Sequence, residues 1–230
     1  MKKLVSLLLA LCLVFALGAS AFAAKFPANG FSDVPRGEWY AEAVDFVKAS
    51  GLMNGVGDNR FDPNGTVTRA MVITVLYRLA DEPSVKGQSN PFRDVPNGAD
   101  CWYRNAAIWA VKNGVTNGDG SANVFSPNKA NTREQMATMI VRFLLSQAEL
   151  DDASARMIKR LDAKTAASLL KAEFRDASSV SDWAAVNVLI CKMTGIMNGD
   201  SAGTFRPQAT LTRAECAQTF LNLYTIGTSG

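Results

Sequence analysis

The stretch Asn131-Thr-Arg-Glu-Gln-Met-Ala-Thr-Met-Ile-Val-Arg-Phe143 decides the fold. Thr132 followed three residues later by Gln135 is a capping box, in which each side chain satisfies a backbone N–H of the other's turn. Apolar Met136, Ile140 and Phe143 recur at helical spacing and form one buried stripe. Arg133 sits in the first helical turn, where the macrodipole is positive and a cation costs roughly 0.3–1 kcal/mol. The misplaced arginine is not a local accident, because the same pattern recurs at Thr66–Leu79 and Thr210–Leu223.

Three units share one skeleton. The Thr-Arg pairs are Thr68-Arg69, Thr132-Arg133 and Thr212-Arg213, and a phenylalanine lies eight residues before each arginine, at Phe61, Phe125 and Phe205. Each phenylalanine is followed by x-Pro. Upstream, the glycines Gly51, Gly114 and Gly195 open Gly-x-x-Asn-Gly segments, each twelve residues after a tryptophan, Trp39, Trp102 or Trp183. Phe-x-Asp starts each unit, ending at Asp33, Asp94 and Asp176. Identical internal spacings mark a repeat whose units bury their helices only by packing together.

Each unit reads as helix, loop, helix. The first helix runs from the tryptophan to the glycine stop, with Trp39, Ala43, Phe46 and Val47 on one face and Trp102, Ala106, Trp109 and Ala110 on its counterpart. Asn-Gly and Phe-x-Pro make the middle an ordered loop. The second helix starts at the threonine cap and buries Val72, Leu76 and Leu79, or Cys216, Phe220 and Leu223. The units occupy residues 31–80, 92–144 and 174–223, joined by a polar linker at 81–91 and by a longer segment at 145–173. Met157, Ile158, Leu161, Leu169 and Leu170 give that segment an amphipathic pattern, so it is expected to hold an inserted helix packing on the bundle.

Composition narrows the function. Residues 1–23 form a secretory signal peptide, with Lys2 and Lys3, an apolar run from Leu4 to Leu17 and a small-residue cleavage site at Ala21-Phe22-Ala23. The formal charge of +3 falls to about +1 without the two signal lysines. No basic patch for nucleic acid is implied, and no later apolar run is long enough to cross a membrane. The chain has no histidine, which removes Ser-His-Asp, Cys-His and imidazole-metal sites. Of the cysteines left after cleavage, Cys191 and Cys216 align with apolar positions and read as core residues, with a bridge between them left open, while Cys101 aligns with exposed ones. The loop Asn117–Phe125 faintly resembles a calcium loop but lacks a closing bidentate glutamate, so no metal and no cofactor are expected.

Phe-x-Asp, Trp, Gly-x-x-x-Gly, Phe-x-Pro and Thr-Arg-Ala-Glu together resemble the S-layer homology domain over about Phe31–Leu223. The third unit carries the last motif outright as Thr212-Arg213-Ala214-Glu215, the second has Gln135 in its place, and the first has Met71 in place of the acid. The third unit also has Ala177-Ser178 where the others have Val-Pro, and no tyrosine after its tryptophan. The resemblance implies a mainly α, pseudo-threefold, three-pronged helical assembly. It also implies grooves that bind secondary cell wall polymers, often bearing pyruvylated amino sugars, without covalent attachment. Carried over by motif, the site positions are Arg69, Arg133 and Arg213, the loop glycines Gly55, Gly118 and Gly199, Asp33, Asp94 and Asp176, and Trp39, Trp102 and Trp183.

The residues themselves leave each role open. Each arginine, beside free helix N–H groups, suits an anion, or it pairs with a carboxylate of its own or a neighbouring unit. The tryptophans read as core or as a sugar-stacking wall, the aspartates as turn caps, and the loop glycines as backbone requirements. An enzyme would have to work through paired carboxylates, and the acids sit mostly at cap-like positions. The expectation is a non-catalytic wall-binding module at the cell surface. The alternative is a structural surface protein whose grooves take protein partners. Only Tyr224–Gly230 follows the third unit, which leaves the cargo, if any, unnamed.

Overall fold

In the computed structural model of the chain, which describes residues 26–147 and 161–228, the three units close into a ring. The first contributes α1 (Ala41–Ala49) and α2 (Arg69–Leu79), the second α3 (Arg104–Lys112) and α4 (Arg133–Gln147). Next comes α5 (Ala163–Glu173), then a 3-10 turn at Ala177–Ser179, and then α6 (Asp182–Thr194) and α7 (Arg213–Thr228) of the third unit. The signal segment, Met157 and Ile158 lie outside the described residues.

Each prong is built from two units. The first helix of a unit packs on the second helix of another: α3 on α2, α6 on α4, and α1 on α7. The third pairing joins the start of the chain to its end and closes the assembly with pseudo-threefold symmetry. Aromatic contacts fill the prongs, with Phe46 and Tyr224 4.9 Å apart between α1 and α7, and Tyr77 and Trp109 5.6 Å apart between α2 and α3. The stripe residues Val72, Leu76, Met136, Ile140, Phe143, Cys216, Phe220 and Leu223 are all buried, and Leu79 is partly so. Helix α5 starts at an Asp162 cap, lays Ala166 and Leu170 into the core and packs on α6.

At the centre the chain makes a closed circuit of backbone hydrogen bonds. Val67 N donates to Leu211 O (2.9 Å), Leu211 N to Asn131 O (3.0 Å), and Asn131 N to Val67 O (2.9 Å). One step outward, Arg69 N, Arg133 N and Arg213 N donate to Lys129 O, Ala209 O and Gly65 O. One residue further, Ala70 N, Glu134 N and Ala214 N reach Pro127 O, Pro207 O and Pro63 O. The next amide of each helix is capped by its threonine. The amides that a helix start leaves orphaned are therefore taken by the neighbouring unit's Phe-x-Pro turn. This corrects the expectation that these helix starts offer free N–H groups to an anion. The capping box forms at Gln135 and Glu215, whose side-chain oxygens accept from Thr132 N and Thr212 N at 3.1 and 3.0 Å.

The Phe-x-Asp starts clasp the loops. Asp33 accepts from Phe61 N and Asp62 N, Asp94 from Phe125 N and Ser126 N, and Asp176 from Phe205 N and Arg206 N, all at 2.7–2.8 Å. Removing one carboxylate strands two amides that hold a charge-assisted bond each. Asp94→Ala is expected to cost about 2–3 kcal/mol, read as a lower urea midpoint with an unchanged slope. The expected first-helix starts shift as well: Trp39 and Trp102 stand in the turn two residues before α1 and α3, not in the helix. Cys191 and Cys216 are buried thiols and are not joined in a disulfide, so the bridge left open from sequence is not made. Burial pushes the Cys216 thiol up to about 12.

Candidate functional site: the inter-unit grooves

The motif arginines turn inward from their helix starts and grip the next unit. Arg69 donates from Nε to Phe125 O (2.9 Å) and from Nη2 to Gly118 O (2.6 Å) and Thr116 Oγ1 (3.1 Å). Arg133 reaches Phe205 O (2.6 Å) and Asn198 O (2.8 Å), and Arg213 reaches Phe61 O (2.7 Å) and Asn54 O (2.6 Å). Each guanidinium also lies over the ring of the same phenylalanine, 4.4–5.3 Å from its centroid. Here is the answer to the misplaced cation. Carbonyl oxygens and a π-face of the neighbour offset the repulsion of the helix dipole. Among the described residues, the alternative carboxylate pairing is made by Arg133, to Glu215 at 3.5 Å, and not by Arg69 or Arg213.

The loop glycines permit this grip. A Cβ on Gly55, Gly118 or Gly199 would stand 2.6–2.8 Å from a backbone carbonyl or phenylalanine ring in two cases, and 2.3 Å from Val124 O at Gly118. The ring in each case is the unit's first phenylalanine, Phe31, Phe92 or Phe174. Sequence reasoning read the glycines as backbone requirements, and close approach is the reason at all three.

The tryptophans are where sequence periodicity misled. Trp39, Trp102 and Trp183 are 61%, 59% and 54% exposed, so they are not core. Trp183 lines a groove of about 320 Å³ along α4, with Arg69, the loop from Val115 to Gly120, and Gln135, Thr138, Met139 and Arg142. Trp39 lines the matching groove of about 670 Å³ along α7, with Arg133, the loop from Ile196 to Ser201, Arg206, Glu215, Gln218, Thr219 and Asn222. One groove thus takes an arginine from one unit, a loop and helix face from the next, and a tryptophan from the remaining one. The third set of matching positions, Arg213 with Met71, Thr74, Val75, Arg78 and Trp102, has an apolar residue where the others have Gln135 and Glu215. The aspartates are tied to loop amides and do not line either groove.

Sequence reasoning missed two features. Glu134 is buried and binds Ser181 N (3.0 Å), Ser181 Oγ (2.8 Å) and Gln208 Nε2 (2.8 Å), tying the second unit to the third. Arg142 projects into the groove along α4 from the position ninth after the motif arginine, where no motif flags it.

Charge on the α7 groove is internally balanced. Glu215 Oε1 takes Arg206 Nη2 at 2.6 Å and Arg133 Nη1 at 3.5 Å, and Arg206 Nε lies 3.3 Å from Asp200. Burial works to raise the Glu215 pKa, but the Thr212 amide and the Arg206 and Arg133 cations outweigh it and hold the group below its usual value. Asp119, Asp162 and Asp200 are likewise lowered, chiefly by loop and cap hydrogen bonds, and at Asp33 burial works upward but the loop amides and Arg60 together outweigh it. Carboxylates depressed in the folded state stabilise it above their unfolded pKa of about 4. That contribution is lost as pH falls through their folded values. The thermal midpoint is therefore expected to stay level from about pH 7 to 5 and to fall below about pH 4, with Glu215→Gln flattening part of the fall.

The profile of the S-layer homology domain matches residues 30–70, 91–137 and 173–217, more than half of the chain. The chain belongs to the S-layer homology family. It is 32% identical over 209 residues to the surface-layer 125 kDa protein of Lysinibacillus sphaericus, covering 89% of this chain and 16% of that protein. It is 31% identical over 191 residues to an amylopullulanase of Thermoanaerobacterium thermosulfurigenes, covering 81% and 9%. The S-layer protein sap of Bacillus anthracis is 25% identical over 188 residues, covering 82% and 20%. The chain spans a fifth or less of the length of these relatives. Its family and its S-layer relatives place it at the bacterial cell surface. Among the described residues, no helix is long and apolar enough to cross a membrane.

Proposed function

We propose that the chain binds an anionic, pyruvylated secondary cell wall polymer in its inter-unit grooves, non-covalently and without catalysis, and so anchors at the cell wall. The observation that carries this is the pairing, in one groove, of an exposed tryptophan face with guanidinium groups, Trp183 with Arg69 and Arg142. An aromatic face suits a sugar ring and a planar guanidinium suits a carboxylate. Linked grooves on one chain would raise avidity along a repeating polymer. A non-catalytic role fits the acids of the α7 groove, since Glu215 and Asp200 are both engaged by Arg206. Neither stands free as a general acid of the kind glycosidases need. The test is sedimentation of purified protein with cell-wall sacculi that carry the polymer, against sacculi stripped of it. The proposal expects sedimentation with the first alone; equal sedimentation with both contradicts it.

The α2 positions favour a second reading for that groove. Met71 replaces the capping acid, and Val56 and Trp102 are exposed nearby in sequence register. Exposed apolar residues at these positions suit a protein partner of a surface assembly better than a charged glycan. Met71→Glu restores the acid: a partner held there is lost while wall binding stays.

A further inference from the structure

The grooves along α4 and α7 share one plan, and the matched positions at which they differ in charge are three. Arg206, Glu215 and Asn222 line the α7 groove; Ser126, Gln135 and Arg142 stand at the equivalent places in the second unit. These exchanges turn a balanced groove into a net positive one. In the α7 groove two guanidiniums face two carboxylates, and all four are joined in one chain from Asp200 through Arg206 and Glu215 to Arg133. Glu215 cannot yield to an incoming anion without cost, because its other oxygen holds the capping box at Thr212 N (3.0 Å).

In the α4 groove two guanidiniums face the single carboxylate of Asp119. That carboxylate is occupied by Ser121 N (2.9 Å) and Ser126 Oγ (2.6 Å), so it reaches neither arginine directly. Gln135 keeps the capping box with a neutral amide. Arg69 spends Nε and Nη2 on the neighbouring loop and leaves Nη1 for the groove. Arg142 makes no hydrogen bond or ion pair among the described residues, and burial alone acts on its charge. A half-buried cation without a partner is costly when the groove is empty and gains a charge-assisted, bidentate bond when a carboxylate arrives.

We infer that the α4 groove is the carboxylate-selecting site of this chain and that Arg142 sets the selectivity, with the α7 groove self-neutralised and indifferent to ligand charge. This rests on the wall-polymer reading above. The groove suits a sugar ring bearing one carboxylate, its ring on Trp183 and its anion between Arg142 and Arg69; on the wall-polymer reading that sugar is a pyruvylated hexosamine.

The experiment titrates the protein by calorimetry with a pyruvylated N-acetylhexosamine glycoside and with the methyl ester of the same sugar, which keeps the shape and removes the charge. Wild-type protein is expected to prefer the acid by about tenfold or more. Arg142→Ala is expected to erase that preference without lowering the thermal midpoint, since the side chain makes no hydrogen bond or ion pair among the described residues. Arg142→Lys restores part of it. Gln135→Glu, which rebuilds the self-neutralised arrangement, erases it as well, while Asn222→Ala leaves it intact. A wild-type preference that persists in Arg142→Ala overturns the assignment of Arg142 and leaves the wall-polymer reading standing. Wild-type protein that binds neither sugar overturns both.

Discussion

Arg213→Ala is expected to lower the thermal midpoint by about 10 °C, equivalent to about 3–5 kcal/mol in a chain of this size. Among the described residues, its guanidinium is the side-chain tie from the start of α7 back to the first unit's loop, at Phe61 O and Asn54 O. Truncation leaves the buried Phe61 carbonyl and the part-buried Asn54 carbonyl short of a donor, empties the space over the Phe61 ring and loosens the contact that closes the assembly. Arg213→Lys is expected to recover less than half, because a point charge on a flexible stem cannot hold two divergent carbonyls as a planar fork does. A shift below about 3 °C for the alanine variant, measured by circular dichroism, would show that the arginine is not a closing element. The same reasoning bars Arg133→Ala with Arg213→Ala as a clean test of ligand binding. Both remove inter-unit ties, so lost binding would report lost structure.

Gly118→Ala is expected to destabilise by about 3 kcal/mol and to disturb the α4 groove at the same time. The residue has φ of +88°, and an added Cβ would lie 2.3 Å from Val124 O, a backbone atom that cannot swing aside. The loop must move, and it carries Gly118 O, which accepts from Arg69 Nη2 at 2.6 Å. Stability and carboxylate preference should therefore fall together, unlike Arg142→Ala, where preference falls alone. Equal stability of Gly118→Ala and wild type, by urea unfolding, would contradict the close packing of this loop.

Much of this architecture is legible in the repeat. Fixed spacings between tryptophan, glycine, phenylalanine and Thr-Arg place the helix pairs, the capping boxes at Gln135 and Glu215 and the stops at Gly51, Gly114 and Gly195. The arginine partners are not legible. They are chiefly backbone carbonyls of another unit, 49–159 residues away in sequence, and a carbonyl leaves no mark on residue type. The tryptophans misled because helical phase was extended backwards into the turn before α1 and α3, where it does not apply. Trp183 does sit in its helix, yet at the first turn it faces the groove. Arg142 went unnoticed because its significance depends on the absence of an acid opposite it, which is a property of the assembled groove.

These features separate two jobs once assigned to a single residue. The motif arginines tie the units together, and on the proposed reading the charge offered to a ligand comes from Arg69 and Arg142 beside Trp183. The most direct measurement of anionic wall-polymer recognition is binding of the purified chain to the polymer before and after chemical removal of its pyruvyl groups, at fixed ionic strength. The account predicts that affinity falls at least tenfold on removal. Equal affinity for both polymers would contradict it.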